Sequence, residues 1–174
     1  MSQRDSGYER KERDLYETPE WVTLALGPHL PRRPDLVLEP AAGSGKMVAA
    51  LEKLGLDVGA SDIADGDDFL TREGAVADAI ITNPPYTHAS EFIYKAMELT
   101  KPDGFVAMLL RTDFDHAESR REMFDGRGCH FYKKVVLTRR IRWFEDSKGS
   151  PSFNHAWFIW DWLHIGPPTL AYAN

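Results

Sequence analysis

The chain has 174 residues, of which 43% are hydrophobic, 28% charged and 11% aromatic. These proportions are ordinary for a globular domain, and they exclude a disordered chain, a collagen-like chain and a small disulfide scaffold. The formal net charge of -6 argues against a generally basic nucleic-acid-binding protein. A local basic face is still compatible with that total, because binding responds to the local potential.

The sequence carries no sign of an oxidising or membrane environment. Its single cysteine, Cys129, can form neither an internal disulfide nor a cysteine-rich zinc site, and we predict no bound metal. No apolar run approaches the roughly 18 residues of a membrane span, and the charged start lacks the apolar core of a signal peptide. We therefore expect a cytoplasmic protein that makes no contact with membranes.

The first residues are polar and mixed in charge, so we expect a flexible arm over 1–13 and a single domain over 14–174. Thr18 and Pro19 are typical of a helix start, in which a capping hydroxyl precedes a proline at the first helical position. This helix is expected to end near Gly27.

The hydrophobic pattern predicts an alternation of strands and helices. Short apolar runs predict strands at 35–39, 57–61, 78–82, 105–110, 135–137 and 156–160. Apolar residues at helical spacing predict helices over 47–54, 88–100 and about 116–124. The tail around Gly166 is expected to be irregular. We therefore expect a doubly wound, mostly parallel, Rossmann-like α/β sheet whose last two strands form an antiparallel pair at one edge.

A glycine-rich loop, Glu39-Pro-Ala-Ala-Gly-Ser-Gly45, joins the first strand to a helix, as in nucleotide-type cofactor sites. It is not a phosphate loop, because Pro40 and Met47 stand where that motif needs glycine and Ser or Thr. It is not a dinucleotide fingerprint either, because Val48 occupies the third glycine position.

An acid followed by two glycines suits S-adenosylmethionine, which combines an amino acid end with a ribose. Glu39 would face the cationic ammonium group, while the backbone at Ala41, Gly43 and Gly45 would pass close to the cofactor. A purely structural turn between strand and helix remains the alternative for the loop taken alone.

Residues after the second strand are placed to bind the nucleoside of such a cofactor. Asp62 can accept both ribose hydroxyls, as an acid about 20 residues beyond the glycine loop does in dinucleotide folds. Asp68 can accept from the adenine amino group, and Phe69 can pack on the ring. Because Asp65, Asp67 and Asp68 lie close together, the choice among them stays open, as does a plain solvated turn.

The tetrapeptide Asn83-Pro84-Pro85-Tyr86 directly follows the third strand, at the carboxyl edge of the expected sheet. A planar exocyclic amine is a poor nucleophile, because its lone pair is delocalised into the ring. The side-chain oxygen of Asn83 and the carbonyl of Pro84 can accept hydrogen bonds from both N–H groups of such an amine, and the prolines stiffen the loop. Tyr86 offers a flat face for stacking. We predict all four residues as the catalytic loop, with Asn83 also bordering the cofactor.

Taken in order, the motifs from Tyr16 to Tyr86 resemble those of class I S-adenosylmethionine-dependent amino-methyltransferases of the N6-adenine DNA methyltransferase type. The late elements at 140–144 and 149–152 are similar to those of small methyltransferases encoded by phages and prophages. The resemblance implies a seven-stranded mixed sheet, S-adenosylmethionine as cofactor, DNA as partner and a bacterial or phage-infected host cell. It also implies that Tyr16, Thr18 and Pro19 close over the methionine end of the cofactor.

Sequence-specific enzymes of this type carry a separate target-recognition domain, for which we expect no space in 14–174. Target choice is then expected to come from short loops, from a second copy of the chain or another specificity partner, or to be absent.

The stretch 127–142 contains six Lys and Arg residues but no Asp or Glu, and aromatic residues follow it. This pattern is typical of a surface that follows a nucleic-acid backbone and stacks bases, although a solvated strand with its loops gives it too. Adjacent arginines on a strand point to opposite faces, so Arg139 and Arg140 cannot both line one groove. The candidate nucleic-acid contacts are Arg139, Arg140, Arg142, Phe144, Lys148 and His155.

The sequence thus predicts an enzyme that transfers a methyl group from S-adenosylmethionine to the N6 amine of an adenine flipped or captured from DNA. One alternative keeps the chemistry and moves it to RNA bases or to glutamine side chains of proteins. Another is a non-catalytic S-adenosylmethionine-binding module that regulates a partner.

Overall fold

The computed structural model describes residues 16–125, 130–143 and 153–174. Within them, one mixed sheet contains β1 (Val37–Glu39), β2 (Val58–Ala60), β3 (Ala77–Thr82), β4 (Thr100–Arg111), β5 (Phe131–Leu137), β6 (His155–Asp161) and β7 (Thr169–Ala173). The strand order is β2-β1-β3-β4-β6-β5-β7. Among these strands, β6 alone runs antiparallel to its neighbours. The predicted seven-stranded, mostly parallel, Rossmann-like sheet is confirmed.

The antiparallel strand lies inside the sheet and not at its edge. The tail that we expected to be irregular forms β7, which pairs in parallel with β5 from Lys133 opposite Thr169 to Leu137 opposite Ala173. Strand β5 therefore pairs with a neighbouring strand along each of its edges, β6 on one side and β7 on the other, and β6 lies between β4 and β5.

The described residues contain the helices α1 (Glu20–Leu26), α2 (Lys46–Lys53), α3 (Ala89–Leu99) and α4 (Glu122–Asp125). Helices α1 and α2 pack on one face of the sheet, and α3 packs on the other. Successive residues of β4 and β6 contribute alternately to the two faces, because side chains alternate along a strand. In β6, Trp157 and Trp160 are fully buried and donate their ring N–H groups to the carbonyls of Val22 and Met123.

Two helix predictions differ from the structure. Helix α1 begins at Glu20, with Pro19 as its N-cap and no side-chain capping bond, while Thr18 is buried. The helix expected over 116–124 is reduced to two 3-10 turns and the single turn of α4. Contacts within the segment help to fix this irregular path, since Arg120 donates to the Phe114 carbonyl and lies over its ring.

The carboxyl ends of the parallel strands gather the polar residues of the candidate site. Glu39 ends β1, Asn83 directly follows β3, Arg111 ends β4, and His155 begins the antiparallel β6 at the same edge. Asp62 follows β2 by two residues. This is the edge at which open α/β sheets bind ligands.

In the part of the chain that the structure describes, no helix is long and apolar enough to cross a membrane.

Candidate cofactor and catalytic site

The glycine-rich loop between β1 and α2 uses its own N–H groups to hold its shape. Four of them donate within the protein: Ala41 to Glu39, Ala42 to Ser61, Gly43 to Asp62 and Gly45 to Ala42. A phosphate-binding loop needs such N–H groups directed at its ligand. The hydrogen bonding therefore agrees with the exclusion of a phosphate loop from the sequence.

Two glycines leave part of the backbone of this loop accessible to a ligand. Gly43 and Gly45 have φ angles of 52° and 83°, in the left-handed region that glycine adopts without steric cost. A Cβ atom on Gly45 would meet no other atom within 4 Å. A ligand can therefore approach the backbone here.

Glu39 is a buried carboxyl at the base of the loop, with 1% of its surface exposed. Its Oε1 accepts from the Ala41 N–H at 2.9 Å and from the Thr82 hydroxyl at 2.5 Å, and no described residue bonds its Oε2. Burial raises the pKa of Glu39 to about 7, although the hydrogen bonds from Thr82 and Ala41 act in the opposite direction. A cation brought to Oε2 would favour the ionised form.

Asp62 joins the glycine loop to the turn after β2. One carboxylate oxygen accepts from the Gly43 N–H and the other from the Ala64 N–H, both at 2.8 Å. A carboxylate has about four lone-pair sites, so each oxygen can still accept a further hydrogen bond, for example from a ribose hydroxyl.

Phe69 does not present a ring face to a ligand. It is 1% exposed, and its ring packs against Phe92 of α3 with 5.0 Å between centroids. Asp68 caps the 3-10 turn by accepting from the Leu70 N–H at 3.0 Å. The exposed apolar residue beside Asp62 is instead Ile63, which is 70% exposed. The expectation that Phe69 packs on adenine is therefore corrected, and Ile63 provides the available apolar surface.

Asn83 is oriented by the segment that precedes α1. Its side-chain Nδ2 donates to the Tyr16 carbonyl at 3.1 Å. This bond assigns the amide orientation and turns Oδ1 away from that carbonyl. Oδ1 is buried and has no hydrogen-bond partner among the described residues. The next residue in the predicted catalytic loop, Pro84, is buried as well.

The predicted stacking residue, Tyr86, belongs to a cluster of four rings. Tyr86 contacts Tyr16 and His155 at centroid distances of 5.5 and 6.3 Å. Trp143 contacts the same two residues at 5.4 and 5.2 Å. In addition, the Tyr86 hydroxyl and His155 Nε2 are hydrogen-bonded at 3.1 Å. The sequence predicted Tyr86 and Tyr16 for the site, whereas Trp143 was noted only among the aromatic residues that follow the basic stretch. Its contacts with Tyr16 and His155 depend on the fold.

His155 is a buried member of this ring cluster and does not lie on the surface, since only 2% of it is exposed. Its predicted direct contact with nucleic acid is therefore corrected. Burial lowers the pKa of His155 to about 4, and the positive charge of Arg111 lowers it as well, whereas the Phe153 carbonyl and Asp113 act in the opposite direction. The imidazole is thus neutral at physiological pH.

Arginines that we predicted as nucleic-acid contacts are exposed, and two of them have aromatic or polar neighbours. Arg139 lies over the ring of Trp21 at 4.9 Å, and Arg140 donates to the Asn154 side chain at 2.9 Å. Arg142 is exposed on the same segment. The other two candidates, Phe144 and Lys148, lie outside the described residues.

Arg111 is a further cation at this edge that the sequence analysis missed. It is exposed at the end of β4, lies 4.1 Å over the Phe153 ring and forms a two-bond ion pair with Asp113. Its position at the carboxyl end of a buried strand was the signal that could have identified it.

Comparison with known proteins identifies the fold. No family model and no curated protein matches the sequence. A proposed class I S-adenosylmethionine-dependent methyltransferase from Listeria monocytogenes is 17% identical, with a TM-score of 0.58 over 87% of this chain and 62% of that protein. A modification subunit of a proposed type I restriction enzyme from Vibrio vulnificus is 16% identical, with a TM-score of 0.56 over 90% of this chain and 46% of that subunit.

A proposed RNA methyltransferase from Pyrococcus horikoshii is 15% identical, with a TM-score of 0.56 over 82% of this chain and 81% of that protein. The chain thus spans most of the Pyrococcus protein but under two thirds of the Listeria and Vibrio proteins. At these low identities the likeness concerns the fold. The chain has the fold of class I S-adenosylmethionine-dependent methyltransferases.

Proposed function

We propose that this chain is an S-adenosylmethionine-dependent methyltransferase that modifies the exocyclic N6 amine of adenine in DNA. The observation that carries the proposal is the Asn83 amide, whose Nδ2 is held by the Tyr16 carbonyl while its buried Oδ1 has no partner among the described residues. Buried polar atoms without a partner are rare and call for an explanation. A substrate amine would supply the missing donor.

The residues around the glycine loop fit the proposed cofactor. S-adenosylmethionine, when bound, supplies a methyl group on a cationic sulfur that leaves as a neutral thioether. Glu39 would attract its ammonium group through Oε2, and Asp62 would accept from the ribose hydroxyls. Ile63 would cover the adenine, with Asp68 as an acceptor for the adenine amine.

The segment before α1 would close the methionine end of this site. Tyr16 already contacts the catalytic loop through its carbonyl and its ring, and Thr18 and Pro19 lead from it into α1. Closure of this kind excludes water, which strengthens the hydrogen bonds that orient the amine.

Catalysis would depend on the direction of the amine lone pair. The Asn83 Oδ1 and the Pro84 carbonyl would each accept one N–H of the amine, which draws the nitrogen towards tetrahedral geometry. The nitrogen then forms its bond to the methyl carbon and becomes positively charged, so its proton can leave to water without a strong base. Positioning of reactants in this way can account for most of the barrier lowering.

The surroundings of the catalytic loop suit a nucleic-acid base. A base inside a duplex is out of reach, so it would be flipped out and stacked on Tyr86. The exposed Arg111, Arg139, Arg140 and Arg142 lie at or after strand ends on the site's edge of the sheet, where they can contact phosphates. The net negative charge would then belong to other faces of the protein.

RNA is the second candidate substrate, because the likeness to the Pyrococcus protein covers about four fifths of both chains. The same basic surface and the same catalytic loop would serve an adenine in RNA. The two substrates differ at the 2′-hydroxyl, so parallel DNA and RNA oligonucleotides of one sequence distinguish them.

The role of Asn83 can be tested with a matched pair of asparagine variants. Asn83→Ala should lower methyl transfer about a hundredfold or more, as loss of one oriented hydrogen-bonding group does in other enzymes. Its affinity for the cofactor, measured by calorimetry, should stay close to that of the unmodified chain. Asn174→Ala, at an exposed position after β7, should leave both quantities unchanged. An Asn83→Ala variant that retains full turnover would refute the proposed catalytic role.

A further inference from the structure

The hydroxyl of Tyr86 has a buried partner that the catalytic scheme does not use. His155 begins β6, lies opposite Arg111 of β4 and is 2% exposed. Its Nε2 lies 3.1 Å from the Tyr86 hydroxyl oxygen. The strand backbone fixes the imidazole, so this hydrogen bond ties a loop side chain to the rigid sheet.

The ring contacts restrain the same side chain from other directions. Four rings form a closed circuit of neighbours: Tyr86 contacts Tyr16, Tyr16 contacts Trp143, Trp143 contacts His155, and His155 contacts Tyr86. Trp143 meets His155 edge-on, with an interplanar angle of 82°. His155 therefore contacts two rings of the circuit, Trp143 and Tyr86, and is also hydrogen-bonded to the hydroxyl of Tyr86, the ring that would stack the target.

The imidazole is suited to this bond because it is neutral. A neutral imidazole has one donor nitrogen and one acceptor nitrogen, whereas the protonated form has two donors and cannot accept from a phenol. The charged groups that influence it are Arg111 at the end of β4 and Asp113 just beyond it. These two side chains are paired with each other, so the charge beside His155 is largely balanced.

We propose that His155 is a positioning residue that holds the Tyr86 ring in the orientation needed to stack the target base. The proposal rests on the proposed function of Tyr86 in target stacking. A tyrosine side chain can rotate about its Cα–Cβ bond, and that rotation would carry the Tyr86 ring and hydroxyl away from His155. Pre-ordering the ring through His155 lowers the entropy that target binding must otherwise overcome.

The test compares variants that keep or remove the hydrogen bond. His155→Leu removes it with an apolar side chain suited to the buried position, and His155→Gln retains a group that can donate and accept. Tyr86→Phe removes the same bond from the other side without changing the buried position. A neutral hydrogen bond of about 1 kcal/mol corresponds to about fivefold in affinity.

Binding is measured with an oligonucleotide that carries fluorescent 2-aminopurine at the target position, in the presence of S-adenosylhomocysteine. His155→Leu and Tyr86→Phe should each weaken binding about fivefold, their combination should weaken it no further, and His155→Gln should recover most of the loss. The KM for nucleic acid should rise in His155→Leu and Tyr86→Phe and should rise less in His155→Gln. The KM for S-adenosylmethionine should be unchanged in all three variants. A purely structural role for His155 would not produce this split or the recovery by glutamine.

Tyr86 ring motion, measured by NMR on chains with labelled tyrosine, provides a readout that needs no catalysis. The ring should exchange faster in His155→Leu than in the unmodified chain, even if the chain transfers no methyl group. If the proposed function is wrong but the positioning role is right, the chain will transfer no methyl group, yet the Tyr86 ring will still exchange faster in His155→Leu. Unchanged Tyr86 ring motion in His155→Leu, together with unchanged 2-aminopurine binding in both His155→Leu and Tyr86→Phe, would overturn the proposal.

Discussion

Affinity for S-adenosylmethionine should increase with pH through neutrality, because Glu39 must be ionised to attract the ammonium group. Burial raises the pKa of this carboxyl to about 7. The ionised fraction in the free protein is then about one tenth at pH 6 and about one half at pH 7. If only the ionised form binds tightly, the dissociation constant falls about fivefold over this interval, which corresponds to about 1 kcal/mol.

Calorimetry can measure both the affinity and the protons released. At pH 7, binding to the ionised form should release about half a proton per cofactor, detectable by repeating the titration in buffers of different ionisation enthalpy. The affinity comparison is restricted to pH 7 and below, because the α-amino group of S-adenosylmethionine itself loses its proton near pH 8.

Two glutamine variants separate Glu39 from general effects of pH. Glu39→Gln should bind the cofactor more weakly, and its affinity should not change between pH 6 and pH 7. Glu52→Gln, at an exposed position on α2, should behave like the unmodified chain. A pH-independent affinity in the unmodified chain, or the full pH dependence in Glu39→Gln, would refute the reasoning.

Two further predictions concern stability. The pKa of Glu39 is raised from its ordinary value of 4.5 to about 7, so its contribution to the stability of the folded protein is present below pH 4.5 and is lost as pH rises through 7. The pKa of His155 is lowered from 6.5 to about 4, so its contribution is present above pH 6.5 and is lost as pH falls through 4. Between pH 5 and 6.5 the two nearly cancel. In urea unfolding, the free energy of unfolding of Glu39→Gln should therefore fall by about 1 kcal/mol per pH unit on acidification. That of His155→Gln should fall by a similar amount on alkalinisation. Free energies of unfolding that do not change with pH in either variant would contradict the two pKa shifts. Gly104→Ala should lower the free energy of unfolding by about 2 kcal/mol, because its Cβ would collide with the Asp78 carbonyl and the Thr100 methyl group. Gly59→Ala, whose Cβ would meet only ordinary contacts, is its control, and equal stability of the two variants would count against the packing argument.

The strands that position the site were predictable because they combine apolar runs with motifs at their ends. The run before Glu39 and the run before Asn83 form β1 and β3, which are neighbours in the sheet. Their adjacency brings Thr82 to Glu39, so two motifs that are distant in sequence share one edge. Parallel strands place their carboxyl ends together, which is why spacing and order were enough at these positions.

Burial of individual side chains was not predictable, because it depends on contacts between distant segments. Phe69 lies between Asp68 and Leu70, a setting that suits either a surface turn or the core, and its packing against Phe92 shows that it belongs to the core. His155 follows a polar loop in sequence, yet its pairing with β4 buries it. Strand β7 was missed because its residues are mostly exposed and only its pairing with β5 defines it.

The most direct test of the central claim is to identify the methylated product. The purified chain is incubated with methyl-labelled S-adenosylmethionine and, in separate reactions, unmethylated DNA, RNA of matched sequence and a protein extract. The account predicts label in the DNA reaction, recovered after digestion as N6-methyldeoxyadenosine and absent with Asn83→Ala. Label confined to RNA or protein would refute DNA as the substrate, and no label in any reaction would contradict the assignment of methyl transfer itself.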